Sequence, residues 1–294
     1  MLNTVELLID AFVEKLKAGY HRTYGGYKPQ YEDIIGWAGN MALENLANSD
    51  ALYHNMEHTI LVSLVGQEIL RGKHIREGGV TCEDWLHFII SLVCHNIGYV
   101  KGVCRQDQAG SYATGKDGKT VVLPDGSTDA SLTPYRVDRG KLFVDERFGG
   151  HKLIDVEQIK RNIELTRFPM PSGADELDSV NFPGLVRASA LIGQLSDPRY
   201  FKKIGALYYE FQEIGLNQEL GYSNPGDLRH HYPKYFWRSV YPYIQDALRY
   251  LSLTQQGKQI IANLQANVFV LEHEQIGSEE SPEAQLVRAS NGAA

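Results

Sequence analysis

Residues 83–95, EDWLHFIISLVCH, constrain this chain more than any other segment. Apolar side chains cover them almost all round at the helical period, and a helix without a polar face has to lie inside a bundle. Thr81, with Asp84 three residues on, is a capping-box pattern that starts this helix, and Gly72 and Gly78-Gly79 are stop signals for the one before it. A buried central helix needs amphipathic helices around it. Residues 4–18 supply one, with Val5, Leu8, Ile9, Phe12, Val13 and Leu16 at helical spacing and Asn3 as N-cap. The same periodicity predicts helices over 31–48, 56–71, 155–166, 184–196, 200–214, 234–254 and 258–270. The predicted fold class is all-α.

Between these helices lie segments of a different character. GYHRTYGGYKPQY is broken by glycine and proline and reads as a loop. Residues 105–134 carry the turn signals GKDGK and PDGS around the short run TVVL, which predicts a loop insertion with a small hairpin. The end of the chain, 274–294, is polar and rich in small residues and reads as a flexible tail. The domain reading is an N-terminal helical extension over 1–50, one helical domain over 51–273 and that tail.

Charge and composition exclude some functions. Formal net charge is −7, so bulk electrostatics gives no attraction for nucleic acid. No stretch is apolar for long enough to cross a membrane, and the N-terminus lacks the basic region of a signal peptide. Cys82, Cys94 and Cys104 are odd in number and have no CxxC spacing, so they read as reduced thiols. The expectation is a soluble cytoplasmic protein with no nucleic-acid or membrane partner.

Two motifs carry chemistry. Tyr53-His54-Asn55-Met56-Glu57-His58 stands at the start of one helix, and Cys94-His95-Asn96-Ile97-Gly98 at the C-terminal end of the buried one. His54 and His58 share a face if their helix begins early enough. An apolar helix ending in polar residues delivers them to the floor of a pocket, where imidazoles bind divalent metal or exchange protons. His21, His74, His87, His151, His230 and His231 stand alone and read as ordinary structural histidines.

The pair YHN-x-x-H and H-N-x-G resembles the HD superfamily of metal-dependent phosphohydrolases and, within it, the signature of the cyclic-nucleotide phosphodiesterases. The stretches GQEILRGKHIREGG, WLHFIISLVCHNIGYVKG, TDASLTPYRVDRGKLF, NIELTRFP and LVRASALIGQLSDPRY resemble a family of bacterial HD-domain proteins common in cyanobacteria. The resemblance runs over about residues 53–273. It implies an HD/phosphodiesterase-like helical bundle, with His54 as proton donor to a leaving oxygen and His58 and His95 as metal ligands. It also implies a divalent cation (manganese, iron, zinc or magnesium) that activates water if the ligand set is intact.

The ligand set departs from the pattern. Asn96 stands where the HD pair requires Asp, and Ala190, in SALIGQ, stands where the last carboxylate ligand is expected. Asp197, seven residues on, is an alternative ligand, although its place before Pro198 also suits the end of a helix. Arg136, Lys101, Arg139 and Arg167 are candidate ligand-binding residues, since a guanidinium can replace a lost cation. Glu164 and Phe168 sit beside Arg167 and could line the same pocket. Tyr208, Tyr209, Tyr241 and Tyr243 suit either an aromatic ligand, core packing or a homodimer face. The functional expectation is a degenerate homologue with weak or no hydrolysis, needing no metal, that binds an anionic or nucleotide-like ligand or a protein partner. The alternative is an active metal-dependent phosphohydrolase acting on a nucleotide or related phosphoester.

Overall fold

The computed structural model describes residues 3–168 and 179–279, with side chains as far as residue 274. The chain is all-α. The elements are α1 (Thr4–Tyr24), α2 (Pro29–Leu46), α3 (Met56–Glu77), α4 (Cys82–Cys94), α5 (Arg136–Phe148), α6 (Val156–Glu164), α7 (Phe182–Leu195), α8 (Tyr200–Glu213), α9 (Leu216–Leu220), α10 (Pro225–Tyr235), α11 (Tyr241–Leu251) and α12 (Gln255–Glu279). Among the described residues no helix is long and apolar enough to cross a membrane.

The predicted central helix is central. Trp85, Leu86, Phe88, Ile89, Ile90, Leu92 and Val93 of α4 are all sealed from solvent, and α2, α3, α6 and α7 pack around it. Its Thr81–Asp84 capping box forms with both hydrogen bonds. The most extensive helix pair is α3 with α7. Gly193 permits that approach, because a Cβ there would meet the Val62 Cα at 2.7 Å. α1 and α2 pack on α3 and α4 and share their core, so the N-terminal segment is part of the same bundle. All three cysteines are buried and unpaired.

The structure corrects several boundaries. α1 runs to Tyr24 rather than stopping before Gly19, because Gly19 lies inside the helix against the Gln67 side chain and Tyr20 is buried. The Tyr20 hydroxyl then donates to the Tyr27 carbonyl at 2.8 Å, so the turn to α2 is only four residues long. The helix expected over 234–254 is divided by a π-turn at Phe236–Val240. Pro242 has no N–H to offer the carbonyl four residues back, which breaks the regular ladder there. α12 continues past 274 to Glu279; the rest of the predicted flexible tail lies outside the described residues.

The insertion is as small as its turn signals suggest. β1 (Ser111–Ala113) pairs antiparallel with β2 (Thr120–Val122), Tyr112 opposite Val121, and a 3₁₀ segment over Asp129–Tyr135 leads into α5. Periodicity gave no sign of α5, because its buried positions include Arg136, Asp138 and Arg139 as well as Val137, Phe143 and Val144.

Candidate functional site

A cavity of about 500 Å³ opens where α3, α4, α5, α7 and α8 converge. Its floor is built by the two motifs. Asn55 is the N-cap of α3, and its Oδ1 accepts the His58 backbone N–H at 3.2 Å. The helix therefore starts at Met56, and His54 lies outside it rather than on a shared helical face. The two rings still meet, with centroids 5.1 Å apart, because the extended backbone at Asn55 turns His54 back over the helix end.

Glu210 holds His54 there. Its Oε1 accepts the backbone N–H of Tyr53 at 2.7 Å and of His54 at 3.1 Å, while Oε2 lies 2.5 Å from His54 Nδ1. Burial works to raise the Glu210 pKa, but the His54 charge and these hydrogen bonds outweigh it and hold the carboxyl below its ordinary value. The far side of the His54 ring stacks on Tyr99 at 4.9 Å. Sequence reasoning missed Glu210. The available signal was a carboxylate set into the apolar stripe of α8 beside Leu207 and Phe211.

His95 follows the last residue of α4. Its Nδ1 donates to the Leu92 carbonyl at 2.6 Å, which fixes the tautomer and leaves Nε2 as a buried lone pair with no hydrogen-bond partner. Burial, with the Arg136 charge behind it, lowers the His95 pKa to about 3 despite the Leu92 carbonyl. Burial also drives the His58 pKa well below its ordinary value, helped by His54, His95 and Arg136. Burial thus favours the neutral form of both imidazoles. Their ring centroids are 5.8 Å apart.

Asn96 and Arg136 complete the floor. Gly98 makes their meeting possible, since a Cβ there would fall 2.0 Å from the Arg136 carbonyl oxygen and 2.7 Å from the Gly140 nitrogen. Without one, α5 crosses directly over the turn after α4. Arg136 Nη1 then reaches the carbonyl of His95 at 3.3 Å, Asn96 Oδ1 at 3.1 Å and Thr166 Oγ1 at 3.3 Å, while Nη2 donates to the Thr166 carbonyl at 2.5 Å. Every one of these acceptors is uncharged. The guanidinium lies 5.7 Å from the Tyr99 ring centroid. Burial lowers the Arg136 pKa and pushes that of Tyr99 up to about 12. Asn96 Nδ2 is buried without a partner.

The remaining predicted residues divide. Arg167 and Phe168 line the cavity, and so does Ala190, which offers only a methyl group. Arg167 is already neutralised, forked on Asp138 at 2.9 and 3.0 Å and bound to Glu164 at 2.8 Å. Three candidates lie elsewhere. Asp197 is outside the cavity lining, and its carboxylate accepts the Arg199 N–H at 2.8 Å and Lys203 Nζ at 2.5 Å beyond the end of α7. Lys101 is tied to the Ser127 carbonyl at 2.5 Å and lies 3.8 Å from Asp129. Arg139 is sealed in a closed network, donating to both Asp107 oxygens at 2.9 Å and to the carbonyls of Gly98, Val100 and Ala113.

Among the described residues no group of three or more His, Cys, Asp and Glu side chains is placed to hold a metal ion. The donor chemistry agrees. Two neutral imidazoles remain, the Asn96 oxygen is engaged by a guanidinium, and position 190 offers no donor. That set does not fit a magnesium- or manganese-type hydrolytic centre, which relies on anionic oxygen ligands.

A family model described as Npun_R2479-like matches residues 2–274, nearly the whole described chain. The chain belongs to that family. No curated protein matches it, and no solved structure does. The match includes both histidine motifs, Arg136, Ala190 and Glu210, so the whole cavity floor lies within the family's extent.

Proposed function

We propose that this protein is a degenerate HD-type phosphohydrolase homologue whose pocket binds a small anionic, phosphate-bearing ligand with little or no hydrolysis. One observation carries the reading. The chain holds 36 Asp and Glu residues, yet among the described residues none lines the cavity, while a buried guanidinium with only uncharged acceptors sits on its floor. A buried cation without a counter-charge is costly, and an incoming anion relieves that cost. Asn96 Nδ2 adds an unused donor beside it. In the HD pattern a metal supplies positive charge at this place; here Arg136 supplies it permanently.

The test is isothermal titration of chelator-treated protein with inorganic phosphate and AMP. Binding in the micromolar to millimolar range, weakened about a hundredfold in Arg136→Met, is the expected result. Absence of binding to the metal-free protein sinks the proposal.

A second reading, an active phosphohydrolase, is favoured by two features of the same floor. His54 is oriented by a buried carboxylate, as a general acid needs to be, and His95 keeps a lone pair directed away from its own helix. Near-stoichiometric metal in purified protein, together with phosphodiester hydrolysis lost in His58→Ala, would establish it in place of the first.

A further inference from the structure

Above its polar floor the cavity has a second character. Its walls rise along α7, α8, α9 and α10; Leu191, Leu207, Phe211, Leu216, Leu220 and Leu228 make up most of them, with Arg187 and His231 as polar points among them. Phe168, two residues after the Thr166 that holds Arg136, stacks on Phe211 at 6.2 Å and joins floor to wall. Gln194, whose amide is the only one in these walls among the described residues, is engaged with the Tyr200 hydroxyl. Tyrosine rings that share the wall are turned to one another, with Tyr200 and Tyr232 5.2 Å apart, and the buried Tyr232 hydroxyl is the one unpaired tyrosine oxygen there among the described residues. A nucleoside brings two ribose hydroxyls and a base edge with several donors and acceptors, more than the few polar groups of these walls pair, and each buried without a partner weakens binding. An apolar body brings none.

From this division we infer that the ligand is an amphipathic anion, a phosphate or carboxylate head on an acyl- or alkyl-type body, and not a nucleotide. The inference rests on the anion-binding reading of the floor and adds the identity of the body. The head sits between the Arg136 guanidinium and Asn96 Nδ2, a buried donor with no partner of its own. The body lies along the leucine wall and leaves past Leu220, which is 45% exposed at the cavity mouth. The volume of about 500 Å³ suits a ligand of this kind, since small-molecule sites are mostly apolar with a few placed polar groups.

The experiment titrates the full chain with inorganic phosphate, AMP, and butyl, hexyl and octyl phosphate below their aggregation concentrations. Affinity is expected to rise about fourfold for each CH₂ that enters the wall, so that octyl phosphate exceeds both phosphate and AMP by well over tenfold. Leu220→Asp, at an exposed position that leaves folding intact by circular dichroism, should weaken octyl phosphate at least tenfold and leave inorganic phosphate unchanged. Octanol, which lacks the anion, should bind far more weakly than octyl phosphate. Phosphate binding with no chain-length dependence, or AMP binding more tightly than octyl phosphate, overturns this inference and leaves the anion site standing. No binding by any phosphate overturns both, and equal binding of octanol removes the head from the recognition.

Discussion

Arg136 and Arg139 lie one turn apart on α5 and both are buried, one on the pocket floor and the other in the joint beneath the insertion. Arg139 has the two oxygens of Asp107 and three backbone carbonyls around it, and both side chains of the pair are fully enclosed. Five donors meet five acceptors and the charge is cancelled. Arg136 has a carbonyl on each side, an amide oxygen and a hydroxyl, with no carboxylate among its partners. The same residue type on the same helix thus serves as a structural rivet in one place and as an open positive charge in the other. What separates them is the counter-ion, and only the tertiary structure reveals it.

Breaking the rivet should have the largest effect. Asp107→Ala strands a buried guanidinium, and a loss of about 3–5 kcal/mol is expected in urea unfolding. The Arg139→Met, Asp107→Leu double variant should recover only part of it, since it removes the stranded charge but leaves the carbonyls of Gly98, Val100 and Ala113 without a donor. Arg136→Met should show the opposite profile, with anion affinity down about a hundredfold (about 2.7 kcal/mol) and a smaller loss of stability. Arg136→Lys keeps the charge but loses the fork, and should fall between the two.

Acid should unsettle the floor before the rivet. His58 and His95 are held neutral in the fold, while in the unfolded chain each titrates near 6.5. The unfolded state therefore takes up protons that the folded state refuses. The stability these groups contribute is complete above about pH 6.5 and is lost as pH falls toward 3. At pH 5 the loss is about 2 kcal/mol for His95, with His58 acting in the same direction, and His95→Gln should flatten that slope in urea midpoints measured from pH 7 to 5. Asn96→Asp sharpens the contrast from the other side. It places a carboxylate 3.1 Å from Arg136 Nη1, so anion affinity should drop about tenfold; combined with Ala190→Asp it should raise manganese affinity if position 190 faces the imidazoles as the HD pattern implies. The smallest effect belongs to Lys101→Ala, whose ammonium serves Ser127 and Asp129, and anion affinity should stay within about twofold of wild type.

The contrast also marks what the sequence could convey. The buried helix, both capping patterns and the convergence of His54, His58, His95, Asn96 and Ala190 were legible, because local periodicity and short motifs encode them. Glu210 and most of the leucine wall were not, because they reach the site from more than 100 residues away through the packing of α8, α9 and α10. Arg139 and Lys101 carried the right chemistry, but their partners Asp107 and Ser127 lie in the insertion, whose path no periodicity describes. Asp197 reads as the end of α7, and its charge goes to Lys203.

One helix touches both halves of the cavity. On α8, Leu207 and Phe211 face the apolar wall, and Glu210 between them grips the backbone and ring of His54. Residues three and four apart lie on one side of a helix, so these three move as a rigid tooth. A ligand body that pushes α8 outward must drag the carboxylate with it and swivel the imidazole at the other end. Occupancy of the greasy wall would then be read out mechanically as the aim of a proton-bearing ring.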